Sequence, residues 1–112
     1  MVMGGLSRRL VLEMRVRVPD GAGGFAEDWA GLGILWAAMR PGSARRVGAD
    51  EMSLSRVGWR ITVRGAPVGS PARPVAGQRF REGGRVFAIR AVREADAAGE
   101  HLTCFAEEET AQ

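Results

Sequence analysis

Alternating apolar and polar positions dominate this chain, and a period of two places successive side chains on opposite faces of a β-strand. In RLVLEMRVRV (Arg9–Val18), Leu10, Leu12, Met14, Val16 and Val18 share one face, while Arg9, Glu13, Arg15 and Arg17 share the other. This predicts a half-buried strand. PDGAGG (Pro19–Gly24) follows as a turn through Asp20-Gly21, with glycines free to adopt positive φ. EDWAGLGILWAAMR (Glu27–Arg40) is rich in Trp and aliphatic residues. Within it Gly31 and Gly33 predict a bulge or sharp curvature, which points to a small barrel. Pro41-Gly42 is expected to stop that strand, and PGSARRVGADEMSLS (Pro41–Ser55), with neither strand nor helix period, reads as a long irregular loop.

GWRITVR (Gly58–Arg64) alternates again, with Trp59, Ile61 and Val63 inward and Arg60, Thr62 and Arg64 outward. GAPVGSPARPVAG (Gly65–Gly77), rich in proline, can donate few backbone hydrogen bonds and belongs to an edge or surface connection. QRFRE and RVFAIRAVR around Gly83-Gly84 form the best hairpin signal, with Phe87, Ile89 and Ala91 on one face. HLTCFAEEE then puts Leu102, Cys104 and Ala106 on one side and His101, Thr103 and Phe105 on the other. The expected fold is all-β: one domain over residues 1–112, a small β-barrel of about six strands with a long irregular loop and no long helix.

With 112 residues there is room for a modest core but not for a deep catalytic cleft beside it. No apolar run approaches the roughly 18 residues of a membrane helix, and arginines and Glu13 interrupt the N-terminal apolar stretch, so a soluble domain without a signal peptide is expected. A lone cysteine, Cys104, suits a reducing compartment. The pI of about 10.8 overstates the basicity. All 16 basic residues are arginine, with neither lysine nor tyrosine to titrate in the alkaline range, and the net charge is only +3. Distribution matters more than the total: residues 1–39 are neutral, residues 40–93 carry +9, and residues 94–112 carry −6.

Catalysis is not expected. His101 and Cys104, three apart on a strand, point to opposite faces and cannot form a local thiolate–imidazole pair. A metal site would need carboxylates that cluster instead at Glu107, Glu108 and Glu109, and no phosphate-binding loop is present, so no cofactor or metal is expected. Two readings remain on chemistry alone. A small barrel could bind nucleic acid through its Arg-rich middle, with Trp59 or Phe80 as stacking platforms. Alternatively, the basic and acidic segments could meet between subunits, where head-to-tail pairing of different patches builds a ring if the rotation closes. The same charges could also simply keep the outer face of a small sheet wet.

The succession GGLSRRLVLE, DGAGGFAEDW, LWAAMRPGS, WRITVRG and GQRFREGGRVFAIRAVREADAAGEHLTCFAEEE resembles the bacteriophage head–tail joining family, also called head–tail adaptors or head-closure (stopper) proteins. The most specific parts are LWA at Leu35–Ala37, RITVR, and the closing block with its acidic turn, LTC and glutamate run. The resemblance implies a small β-barrel in a six-fold ring in the neck of a phage or gene transfer particle, assembled in the bacterial cytoplasm. Its expected partners are portal or adaptor proteins on the head side, tail terminator or tail tube proteins below, and packaged double-stranded DNA in the channel. The family's channel loop would correspond to Pro41–Ser55, with Arg45 and Arg46 toward DNA. Arg60, Arg64, Arg90, Glu107, Glu108 and Glu109 would join subunits or neck partners.

Overall fold

The computed structural model describes residues 5–47 and 54–111, with side chains described for 5–42 and 57–108. Every regular element in these residues is a strand: β1 (Arg8–Pro19), β2 (Phe25–Val47), β3 (Leu54–Arg64), β4 (Arg79–Glu82), β5 (Arg85–Glu94) and β6 (His101–Ala111). They pair antiparallel in the order β1-β2-β3-β6-β5-β4, and β4 returns to β1 to close a barrel. Closure removes free sheet edges from the body of the barrel, where they would otherwise invite uncontrolled pairing.

The core is made by the alternating faces. Leu10 and Leu12 of β1, Ala37 of β2, Ile61 and Val63 of β3, Phe80 of β4, Phe87 and Ile89 of β5, and Leu102, Cys104 and Ala106 of β6 are all buried. Most are aliphatic or aromatic side chains whose complete burial contributes roughly 1.5–3 kcal/mol apiece. Turn chemistry fixes the register. Asp20 Oδ1 accepts the backbone N–H groups of Ala22 and Gly24 at 2.8 and 3.0 Å, closing the β1–β2 turn. Gly83, at φ 60°, lets Glu82 face Arg85 across the β4–β5 turn.

β2 is the element that departs most from the sequence expectation. Its 23 residues would reach about 76 Å if straight, beyond the 51 Å longest dimension of the fold, so it must bend. The bends are bulges. Leu32 is extra opposite Leu12 and Glu13, between the two glycines that predicted curvature. A second register shift lies between Pro41 and Ala44, where Gly42 packs closely on the backbone of Gly58. Pro41-Gly42 therefore bulges the strand without ending it. Beyond Ala37, β2 pairs with β3 and not β1, so at Pro41 the strand has one side without a ladder, the setting in which a strand tolerates proline. The expected long loop over Pro41–Ser55 is replaced by paired strand on both sides, Ala44–Val47 against Leu54–Val57; residues 48–53 lie outside the described residues.

A third shift, between Ile89 and Ala91, makes Arg90 the extra residue of β5. It moves the apolar face by one position: Ala91 is exposed and Val92 packs on the core in its place. At Glu13 and Met14 the alternation of β1 holds but burial does not follow it. Met14 is 38% exposed because the barrel ends there, while Glu13, on the outer face, is buried beneath arginines.

The two ends of the barrel extend in different ways. At one, β1 and β2 run on as a two-stranded ribbon, Met14–Pro19 against Phe25–Ala30. At the other, β2, β3 and the end of β6 form a three-stranded tongue, with Arg45 opposite Arg56 and Arg56 opposite Glu109.

Candidate functional site

The +9 and −6 segments meet inside one subunit. Strict alternation on β6 carries Glu108 to the same inward face as Cys104 and Ala106, and its side chain closes the tongue end of the core. Arg85, one strand away, donates Nε and Nη2 to Glu108 at 2.8 and 2.9 Å, and Trp59 Nε1 donates at 3.1 Å. Arg8 binds Glu82 in the same two-fold manner, at 2.8 and 2.7 Å, and Arg85 lies 3.8 Å from Glu82. An ionic belt thus ties β1, β4, β5, β6 and β3 across the barrel mouth. Arg85's hydrogen bonds, aided by the Trp59 indole, hold the Glu108 carboxyl below its ordinary pKa against the opposing effect of burial. Arg8 does the same for Glu82.

A second cluster anchors the ribbon. Burial pushes the Glu13 carboxyl up, but hydrogen bonds from Arg81 and Arg79, at 2.8 and 2.7 Å, outweigh it and leave the pKa below the usual range. Arg79 also covers the Trp29 ring at 4.1 Å, with Arg15 at 5.1 Å.

The outer face of β3, β6 and β5 carries exposed arginines of its own, Arg60, Arg90 and Arg93. Phe105 lies between the guanidinium groups of Arg60 and Arg93, 5.9 and 5.3 Å from its ring centre. Arg90 Nε donates to Glu107 Oε1 at 3.2 Å, and Arg64 is exposed near the barrel's opposite end. Of the interface residues read from sequence, Arg60, Arg90 and Glu107 therefore share one surface. Arg64 stands apart on β3, and Glu108 is committed within the subunit. Arg45, Arg46 and Glu109 have paired backbone positions on the tongue, not loop positions. Sequence reasoning missed Arg85, Arg8 and Glu82; the one available signal was the inward period of β6, which, extended to Glu108, turns a carboxylate toward the core and so calls for a cationic partner.

The stacking platforms expected of a nucleic-acid module are not presented. Phe80 is fully buried, and Trp59 packs edge-on against Phe87 with centroids 6.1 Å apart while its N–H is held by Glu108. Cys104 is a core residue whose thiol burial pushes up to about 12, and His101 lies on the other face, Nδ1 at 3.2 Å from Asp96 Oδ2. Asp96, Glu100 and His101 bring three donor groups within 4.8 Å of one another at an exposed turn. Asp96 Oδ1 there accepts the Glu100 N–H at 2.8 Å, so the group serves as a turn clasp.

The model of a family described as phage head completion protein matches residues 1–109. No curated protein matches the chain. Among solved structures, the chain is similar to one in "Virion of native gene transfer agent (GTA) particle", at 48% identity and a TM-score of 0.82, covering 95% of this chain and 96% of that chain.

Proposed function

The chain belongs to the phage head completion protein family, a structural class of virion proteins, and we propose that it forms one subunit of a ring in the neck of a phage or gene transfer particle. The ring joins the portal or adaptor above to the tail terminator or tail tube below. Packaged double-stranded DNA passes through it and is retained by it. The observation that carries this reading is the similarity along nearly the whole chain to a component of a gene transfer agent virion.

The physical properties of the subunit suit the role. A closed barrel sealed at its mouth by an ionic belt is a rigid part, which a joint under load from packed DNA requires. Arg60, Arg90 and Glu107 leave an outer surface where charge orients contacts more than it strengthens them. Arg45 and Arg46, near the end of β2 where the chain enters residues 48–53, carry the contact to DNA. Each phosphate neutralised adds salt-dependent affinity without reading bases, so a few arginines per subunit brake a duplex that must later leave. Catalysis has no part in this function.

Cryo-electron microscopy of particles with this protein tagged or deleted tests the reading. A ring at the head–tail junction, absent from the deletion, is expected. Tail-bearing, DNA-filled particles from the deletion strain would overturn it. Particles carrying Arg45→Ala and Arg46→Ala are expected to lose DNA under osmotic stress, and full retention would remove the gating role.

A further inference from the structure

The apolar face of β1 outruns the core that should cover it. Leu10 and Leu12 are buried, but Met14, Val16 and Val18, next on the same face, continue onto the ribbon and are exposed or only half-buried. Their cross-strand partners are Ala30, Asp28 and Ala26. One face of the ribbon is thus apolar apart from a single carboxylate, Asp28. The other face differs in having charged partners within the subunit: Arg15 and Arg79 lie over Trp29, Arg17 lies over Phe25 at 4.5 Å while leaving it 60% exposed, and Arg15 pairs with Glu27 at 3.2 Å. Two strands without a third layer are marginal in water, so the bare face calls for a partner.

A matching surface lies on the outer wall of β2. Ile34 and Trp36 are 49% and 52% exposed, and they border an apolar recess completed by Ala66 and Ala72 of the proline-rich connection. Arg9, the register partner of Trp36, and Arg64 are exposed at its margin. We propose that the Met14–Val16–Val18 face of one copy docks on the Ile34–Trp36 wall of a second copy, with Asp28 turned toward Arg9 and Arg64. The charges are complementary and both surfaces are apolar at their centres. Neither surface can be satisfied by its own subunit. Ile34 and Trp36 pair with Val11 and Arg9, on the face of β1 opposite to Leu10 and Met14, so the two patches look in opposite directions. Such a contact is heterologous and propagates from copy to copy until it closes. The inference rests on the ring reading above and names the contact that builds it.

Cross-linking in assembled particles tests the contact. Val16→Cys and Ile34→Cys are placed together in the chain and treated with a short bismaleimide; buried Cys104 stays unreactive. A ladder of covalent oligomers is expected, absent from each single variant and from Val16→Cys combined with Arg93→Cys. Asp28→Arg should abolish the ladder, and adding Arg9→Asp and Arg64→Asp should restore it. Val18→Cys with Trp36→Cys provides a second pair should the first impair folding. A ring visible at the neck with no ladder from either pair overturns this contact and leaves the proposed function standing. Wild-type particles without the protein at the neck would sink both.

Discussion

Arg85 and Glu108 face each other in a doubly hydrogen-bonded pair at 2.8 and 2.9 Å, although one belongs to the basic middle of the chain and the other to its acidic end. The pair turns a segregation of charge along the sequence into neutralisation across adjacent strands. It also separates Glu108 from its neighbours, because alternation turns it inward.

Glu108→Gln is expected to destabilise the subunit by about 2 kcal/mol, lowering Tm by roughly 10 °C, since Arg85 and the Trp59 N–H lose a charged acceptor. Arg90→Gln removes a more exposed pair and should cost less than about 1 kcal/mol. Thermal melts of both variants check the contrast; equal effects would contradict the belt.

Stability should fall in acid. Glu13, Glu82 and Glu108 all have folded pKa values below their ordinary ones, so the fold favours their ionised forms. That contribution is complete above the unfolded carboxylate value of about 4.3 and is lost as pH falls through the folded values. Tm measured from pH 7 to pH 3 should be nearly flat to about pH 5 and then drop. Replacing Glu13 and Glu108 by Gln should flatten the acid limb.

Gly65→Ala is expected to cost about 2 kcal/mol or more, because a Cβ there would overlap the carbonyl oxygen of Gly99 while the Gly65 N–H holds Glu100 O at 2.8 Å. Gly84→Ala meets open space and should be neutral or slightly stabilising. Chemical denaturation midpoints distinguish the two, and a tolerant Gly65 would mean the 95–100 turn can shift.

Cys104 should resist thiol reagents in the native protein. With its pKa pushed up to about 12, the thiolate fraction at pH 8 is on the order of one in ten thousand, and burial blocks access. Labelling should appear only on unfolding in guanidinium; rapid native labelling would place the thiol at the surface.

The sequence alone determined the strands and most inward faces. Leu10 and Leu12, Ile61 and Val63, and Leu102, Cys104 and Ala106 could be read from alternation, and Gly83-Gly84 marked its hairpin, because local φ/ψ preference and a period of two are properties of neighbouring residues. The family resemblance was also carried by order and spacing. What alternation cannot say is whether a core stands behind a face. Met14, Val16 and Val18 continue the pattern past the end of the barrel, and only tertiary structure reveals that they are bare. Gly31 and Gly33 marked one bulge, but two others escaped for a related reason: one extra residue at Arg90 exchanged Ala91 for Val92, and an irregularity near Gly42 let β2 run through Pro41 to Arg45 and Arg46, since proline stops a strand only where a neighbour needs its N–H. The belt of Arg8, Glu82, Arg85 and Glu108 draws on residues up to 100 positions apart. Their pairing is decided by barrel closure, which brings β1 beside β4 and β5 beside β6, and no local pattern encodes that proximity.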